Sequence, residues 1–285
     1  MRAKLLSLVM VVAIALASFG TAGAVQYGVP DGNGHPYVGL MLAYDASKTP
    51  LWRCTGTLVS PTVFLSAGHC TGTDGTVTPA YVQVWFEAGP LGFDANYIGG
   101  SCNAGGPYTT YPCAGGYWGV PQPHPNWNGA LTIPNTHDIG VVVLNAPRPG
   151  PYGVVAPAGY LDGLAKQRGL QNVEFTVVGY GLQSVKPIRS GVRERYVGTV
   201  SLINLGSALA DGFNIHYSSA PGNGVGPGGT CFGDSGGPVF HTNASGQKVV
   251  VAVNSFVLNS NCKGAGFGYR TDSAVAQNFL SGYLP

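Results

Sequence analysis

Short runs dominated by β-branched and aromatic residues recur along the chain at 54–65, 81–86, 139–144, 173–180, 195–203, 213–217 and 249–256, with Gly, Pro and Asn between them. Such side chains fit a pleated, half-buried surface, and the turn residues stop each run after a few positions. The spacing predicts an antiparallel all-β fold, a barrel or sandwich, rather than alternating strands and helices. Only the tail reads as helical: Val275, Phe279 and Leu280 share one face, and Thr271 or Asp272 could cap it. Residues 145–157 carry four prolines after an apolar run and are expected to link two β halves, 25–150 and 151–285.

The first 24 residues follow another pattern. A basic start at Arg2 and Lys4 precedes an apolar stretch from Leu5 to Ala17, and Ala22-Gly23-Ala24 offers small residues for cleavage. This reads as a secretory signal peptide, because the apolar stretch is shorter than the roughly 20 residues a membrane span needs. The mature protein is therefore expected to be soluble, monomeric and extracellular.

Composition narrows the picture. With 45 Gly and 21 Pro in 285 residues, and only 14 Lys and Arg against 12 Asp and Glu, a coiled coil or helical bundle is excluded. An apolar content of 45% excludes a disordered chain. The formal net charge of +2 resides in the leader, so nothing electrostatic calls for nucleic acid or a membrane surface as partner. Cys54, Cys70, Cys102, Cys113, Cys231 and Cys262 all follow the leader. In an oxidising compartment they suggest three disulfides, with the pairing open. No Cys/His cluster has zinc spacing, so neither a metal nor another cofactor is expected.

Three segments carry candidate chemistry. Thr230-Cys231-Phe232-Gly233-Asp234-Ser235-Gly236-Gly237-Pro238 sets a serine among glycines. A serine hydroxyl needs a base to act as a nucleophile, and the oxyanion it generates needs backbone N–H donors, which flexible glycines can present. Leu65-Ser66-Ala67-Gly68-His69-Cys70 places a histidine at the end of an apolar strand, and His137-Asp138-Ile139-Gly140 places an acid at the mouth of another. A buried carboxylate is what a catalytic imidazole needs to fix its tautomer. Taken singly, His69 could equally be structural and Asp138 a turn residue.

Together these strings, in the order His69, Asp138, Ser235, resemble the trypsin/chymotrypsin-like serine proteases. The resemblance implies two perpendicular six-stranded Greek-key barrels with a terminal helix and a cleft between them. It implies a triad of Ser235 as nucleophile, His69 as base and Asp138 as orienting acid, with the N–H groups of Gly233 and Ser235 as oxyanion hole. It also implies disulfides Cys54–Cys70 and Cys231–Cys262, leaving Cys102 with Cys113. The implied partners are polypeptide substrates and protein inhibitors. The implied specificity pocket is formed by Gly229, Thr230, Ser255, Phe256, Val257 and Gly266. Gly229 stands where trypsin-like enzymes that cut after Arg or Lys carry an acid, and Val257 stands where the family often has Gly. Cleavage after small or medium apolar side chains is therefore expected.

Family members begin with a free apolar residue whose amine pairs with the acid before the catalytic serine. Here leader removal would expose Val25-Gln26-Tyr27-Gly28. Two arrangements are open: a Val25 amine paired with Asp234, or Asp234 held by internal hydrogen bonds. An inactive homologue serving as a secreted binding protein is the other functional reading. Asn243-Ala244-Ser245 is a glycosylation sequon, relevant only in a eukaryotic secretory pathway. Within the Gly- and Pro-rich insertion 101–128, Tyr108, Tyr111, Tyr117, Trp118 and Trp127 are expected to pack that loop onto the barrel, the alternative being a recognition surface on the insertion.

Overall fold

The structure, a computed structural model, describes residues 25–89, 116–166, 169, 172–185, 191, 194–219 and 228–285. The leader and the Cys102 and Cys113 positions, together with Tyr108 and Tyr111, lie outside the described residues.

Two closed antiparallel barrels of six strands each make up the fold. The first uses β2 (Val38–Tyr44), β3 (Pro50–Leu58), β4 (Val63–Ser66), β5 (Tyr81–Trp85), β6 (Tyr117–Pro123) and β7 (Gly140–Leu144). Its order is β2-β3-β4-β7-β6-β5, closed where β5 returns to β2 with Leu40 opposite Trp85. The second uses β9 (Glu174–Gly179), β10 (Tyr196–Asn204), β11 (Asn214–Ser218), β12 (Pro238–Thr242), β13 (Lys248–Val257) and β14 (Ala265–Arg270). They run β10-β11-β14-β13-β12-β9, and β9 pairs back onto β10. Among the described residues each ring closes on itself, so its six strands have neighbours on both sides.

Two short strands lie outside the rings. β1 (Val29–Pro30) flanks β10, and β8 (Val154–Val155) runs parallel to β13, so the proline-rich stretch expected as a plain linker contributes a strand pairing. The run 54–65 is a hairpin rather than one strand: Val59 N–H donates to Val63 O at 2.9 Å, and Ser60 and Pro61 make the turn. Three helices are described, α1 (Gly68–Thr71), α2 (Tyr160–Ala165) and α3 (Ala274–Leu280). In α3 the cap is Ser273, whose Oγ accepts from Ala276 N–H. Asp272 instead accepts from Leu161 N–H and from Arg270, which is why it does not cap. No helix among the described residues is long and apolar enough to cross a membrane.

Strand β2 shows how the barrels are joined. All seven of its residues are buried, so its sequence is continuously apolar instead of alternating. Met41 and Ala43 pack with Phe64, Val82, Val84 and Val142. Leu40 and Leu42 belong to a cluster that takes Val178, Tyr180, Phe240 and Val253 from the second barrel. Fully burying a side chain of this size contributes about 1.5–3 kcal/mol, so the shared cluster is a strong adhesive. A polar knot crosses the same seam. Arg195 is fully buried; its Nε donates to Asp31 Oδ2 at 2.7 Å, and Nη1 donates to the carbonyls of Val38 and Phe86 at 3.1 and 3.0 Å. Asp31 also holds His35, whose Nε2 lies 2.8 Å from Lys248 Nζ.

Candidate active site

His69 sits on α1, immediately after the buried end of β4. Gly68 allows this short helix to lie against the Asp138 segment, since a side chain there would meet the His137 carbonyl at 3.0 Å and Asp138 Cα at 3.1 Å. The Cys54–Cys70 disulfide ties α1 to β3, and Trp52 Nε1 donates to Cys70 O at 2.9 Å. The two cystine sulfurs lie within 4.8 Å of a His69 ring nitrogen, but once oxidised they offer a metal no thiolate.

Asp138 is fully buried at the start of β7 and collects donors from both barrels. His69 N–H donates to Oδ1 at 2.7 Å, and His69 Nδ1 lies 3.0 and 2.9 Å from Oδ1 and Oδ2. Ser255 Oγ on β13 donates to Oδ2. Burial on its own would raise the Asp138 pKa, but His69 and these hydrogen bonds hold it below the ordinary carboxylate value. Burial likewise works to lower the His69 pKa, and Asp138 outweighs it, leaving the imidazole raised. With Nδ1 donating to the carboxylate, the neutral ring carries its lone pair on Nε2.

Ser235 is half-buried on the turn between Cys231 and β12. That turn is held from two sides: Thr55 N–H on β3 donates to Ser235 O at 2.8 Å, and Gly236 N–H donates to Asn254 O on β13 at 2.7 Å. Thr55 Oγ1 adds a bond to Gly233 O at 2.8 Å. Only glycine fits at 236, where φ is +75° and a Cβ would run into Ser66 Oγ. Gly233 has φ +99°. The N–H groups of Gly233 and Ser235 donate to no acceptor among the described residues, so they remain available to an external oxygen.

A cavity of about 630 Å³ opens onto this turn, lined by His69, Ser235 and Gly233 together with Thr230, Cys231, Ser255, Phe256 and Val257. Gly229 and Gly266 do not line it. The Gly229 carbonyl accepts from Gln26 N–H at 2.7 Å, and its Cα packs on Ser219. Gly266 lies against the ring of Tyr217, whose hydroxyl is 2.8 Å from Thr230 Oγ1 and donates to Asn254 Oδ1 at 2.9 Å. Tyr217 therefore occupies the space behind Gly266. The Cys231–Cys262 disulfide braces this wall.

Asp234 points away from the cavity and is fully buried. Its Oδ1 accepts from Gly181 N–H at 2.8 Å and its Oδ2 from Cys231 N–H at 2.9 Å. Burial pushes its pKa up to about 7 against these bonds and the more distant Arg53. Val25 is fully buried, and Gln26, next in sequence, both bridges to Gly229 and places Nε2 3.9 Å from Cys231 Sγ.

Several cleft residues escaped the sequence reading. Ser255 carries, beyond its place in the wall, the hydroxyl that reaches Asp138; its position before Phe256 in a buried strand gives no hint of that contact. Trp52, Arg53, Phe232 and Leu131 also line the cavity. Trp127, which the sequence singled out among the insertion's aromatics, also lines the cavity, its ring 6.4 Å from the His69 ring and its Nε1 donating to Thr73 O at 2.8 Å. Tyr117 and Trp118 pack on Phe86 and Tyr44 at 5.9 and 5.2 Å between ring centres.

Compared with known proteins, the chain matches the family model described as Trypsin over residues 117–280, which includes Asp138 and Ser235. No curated protein matches it. Among solved structures it is similar to HL collagenase, with a TM-score of 0.61 and 16% identity, covering 91% of this chain and 97% of that one. At that identity the likeness speaks to the fold.

Proposed function

Because this chain belongs to the trypsin family and is a serine-type endopeptidase acting on polypeptides, we propose that Ser235 is its nucleophile, His69 its general base and Asp138 the carboxylate behind the imidazole. Ser235 Oγ attacks the scissile carbonyl and passes its proton to His69 Nε2. The imidazolium is stabilised by Asp138, and the carbonyl oxygen takes its negative charge towards the N–H groups of Gly233 and Ser235. His69 then returns the proton to the departing amine, and water repeats the sequence on the acyl-enzyme. One observation carries this reading: an imidazole committed through Nδ1 to a buried carboxylate shares a cavity with a serine flanked by two unbonded N–H groups. A serine-directed fluorophosphonate is expected to label the purified protein and leave Ser235→Ala unlabelled. A protein that binds peptides but neither labels nor cleaves them is the inactive homologue instead.

Small or medium apolar side chains are the proposed residues before the cleaved bond. Thr230, Cys231, Asn254, Ser255, Phe256 and Val257 bring no charge to the inner wall, so a buried Lys or Arg would go unpaired. Val257 narrows the entrance. The acid at the rim, Asp74, is occupied by Thr76 and Val77 N–H groups of its own loop.

Secretion after removal of residues 1–24 is proposed with it, as a monomer of two halves, 25–150 and 151–285. The Cys54–Cys70 and Cys231–Cys262 disulfides favour an oxidising compartment. Cleavage ahead of Val25 would free an amine beside the segment leading to Asp234, offering this buried carboxylate a cation closer than Arg53. The pH dependence follows from the Asp234 value, raised from 3.8 to about 7. Between those values the folded chain keeps a proton that the unfolded chain releases, so the unprocessed chain loses stability as pH rises from about 4 to 7. A paired amine removes that loss. Melting temperatures at pH 5 and pH 7 are expected to diverge for a chain with one residue added before Val25, and to stay together for one that begins at Val25. Full activity and the same melting behaviour in the extended chain would sink the idea.

A further inference from the structure

Arg53 lies in the cleft with no described residue hydrogen-bonded to its guanidinium, and the buried Asp234 feels its charge only from a distance. It stands on β3, is partly buried, and lines the same cavity as Ser235 and Gly233. A methyl group on Gly233 would lie 3.3 Å from Arg53 Nε and 3.7 Å from Nη2, and one on Gly191 would lie 3.3 Å from Nη2. The guanidinium therefore rests against the peptide that offers the Gly233 N–H. Among the described residues no carboxylate pairs with it and no acceptor takes its N–H groups. A guanidinium has five donors in a rigid fork matched to a carboxylate.

Its side of the cleft follows from the chain path. The turn bearing Ser235 is sandwiched between β13, through the Gly236–Asn254 bond, and β3, through the Thr55–Ser235 bond. Ser255, Phe256 and Val257 on β13, with Thr230 and Cys231, form the pocket for the side chain on the acyl half of the substrate. Trp52 and Arg53 on β3 lie on the Thr55 side of the Ser235 turn, away from β13, the side that would receive the half departing as the amine.

We propose that Arg53 selects substrates with an acidic side chain in the first two residues after the cleaved bond, an inference that rests on the Ser235 reading above. A Glu or Asp carboxylate placed there would complete the fork at the moment the substrate spans the cleft. A lysine in the same place would meet like charge.

Internally quenched peptides with one apolar residue before the bond, differing only in Glu, Gln or Lys just after it, test the proposal on the mature enzyme. Glu is expected to exceed Gln in kcat/KM by about fivefold, the scale of a partly exposed ion pair, with Lys slowest. In Arg53→Gln the Glu to Gln ratio is expected to fall to about one, and in Arg53→Glu the order of Glu and Lys is expected to reverse. Equal rates for Glu and Gln in the unaltered enzyme overturn the proposal. So does an Arg53→Gln variant that slows all peptides alike and keeps the ratio, because Arg53 would then act only through its field at the buried Asp234. Fluorescence anisotropy of the same peptides on Ser235→Ala reads the acid preference without turnover. Loss of that preference is thus distinguishable from an error in the assigned nucleophile.

Discussion

Ser235→Ala and His69→Ala are each expected to lower kcat by about 10⁴- to 10⁶-fold while KM changes little. The double variant should be scarcely worse than either alone, because the proton can be handed over only if both partners are present. Asp138→Asn is expected to cost about 10⁴-fold, since an amide can hold the ring in the wrong tautomer. The pH profile gives a second reading. Only neutral His69 accepts a proton, so kcat/KM rises with pH through a value that Asp138 holds above the ordinary 6.5. Removing the carboxylate shifts that rise to lower pH. Should Ser235→Ala retain a tenth of the activity in active-site-titrated preparations, the nucleophile has been misassigned.

Arg195→Met is expected to be the most damaging substitution far from the cleft, costing about 3–5 kcal/mol. It deletes the donors to Asp31, Val38 and Phe86 at once and strands a carboxylate that is 1% exposed. For a chain of this size the loss should lower the melting temperature by on the order of 10 °C. Burial alone would raise the Asp31 pKa, but its bonds to His35 and Arg195 hold it below 3.8. The contribution of this pair is therefore complete above the ordinary carboxylate range and fades as pH falls through the lowered value. Thermal melts at pH 7 and pH 3 should show the variant and the parent converging in acid. A shift of less than about 2 °C at neutral pH would mean that water replaces the guanidinium at little cost.

What could be read from the sequence was whatever is encoded locally. Runs of β-branched and aromatic residues between turn residues marked β9, β10, β11 and β13 to within a residue or two, and the strings around His69, Asp138 and Ser235 carried the order of the candidate triad. Contacts set by strand register stayed hidden. Nothing beside Ser255 indicates that β13 will carry its hydroxyl to a carboxylate 117 positions earlier in the chain. The ring that backs Gly266 comes from Tyr217, because β11 pairs with β14 in the register Tyr217 to Gly266. Arg53 reads as an ordinary charge in an apolar strand until its neighbours at 191 and 233 are known. β2 escaped because Gly39, Leu40, Met41, Leu42 and Ala43 lack the β-branched and aromatic side chains that mark the other strands.

The Ser235 turn is moored by Thr55 from one barrel and Asn254 from the other. In the order of the chain His69 and Asp138 precede Ser235 by roughly 100 residues or more, so an amino-terminal half made alone would hold the imidazole and the carboxylate but lack the serine. With Ser235 as nucleophile, cleavage would require both barrels in place, so incompletely folded neighbours would be spared by a copy at the same stage.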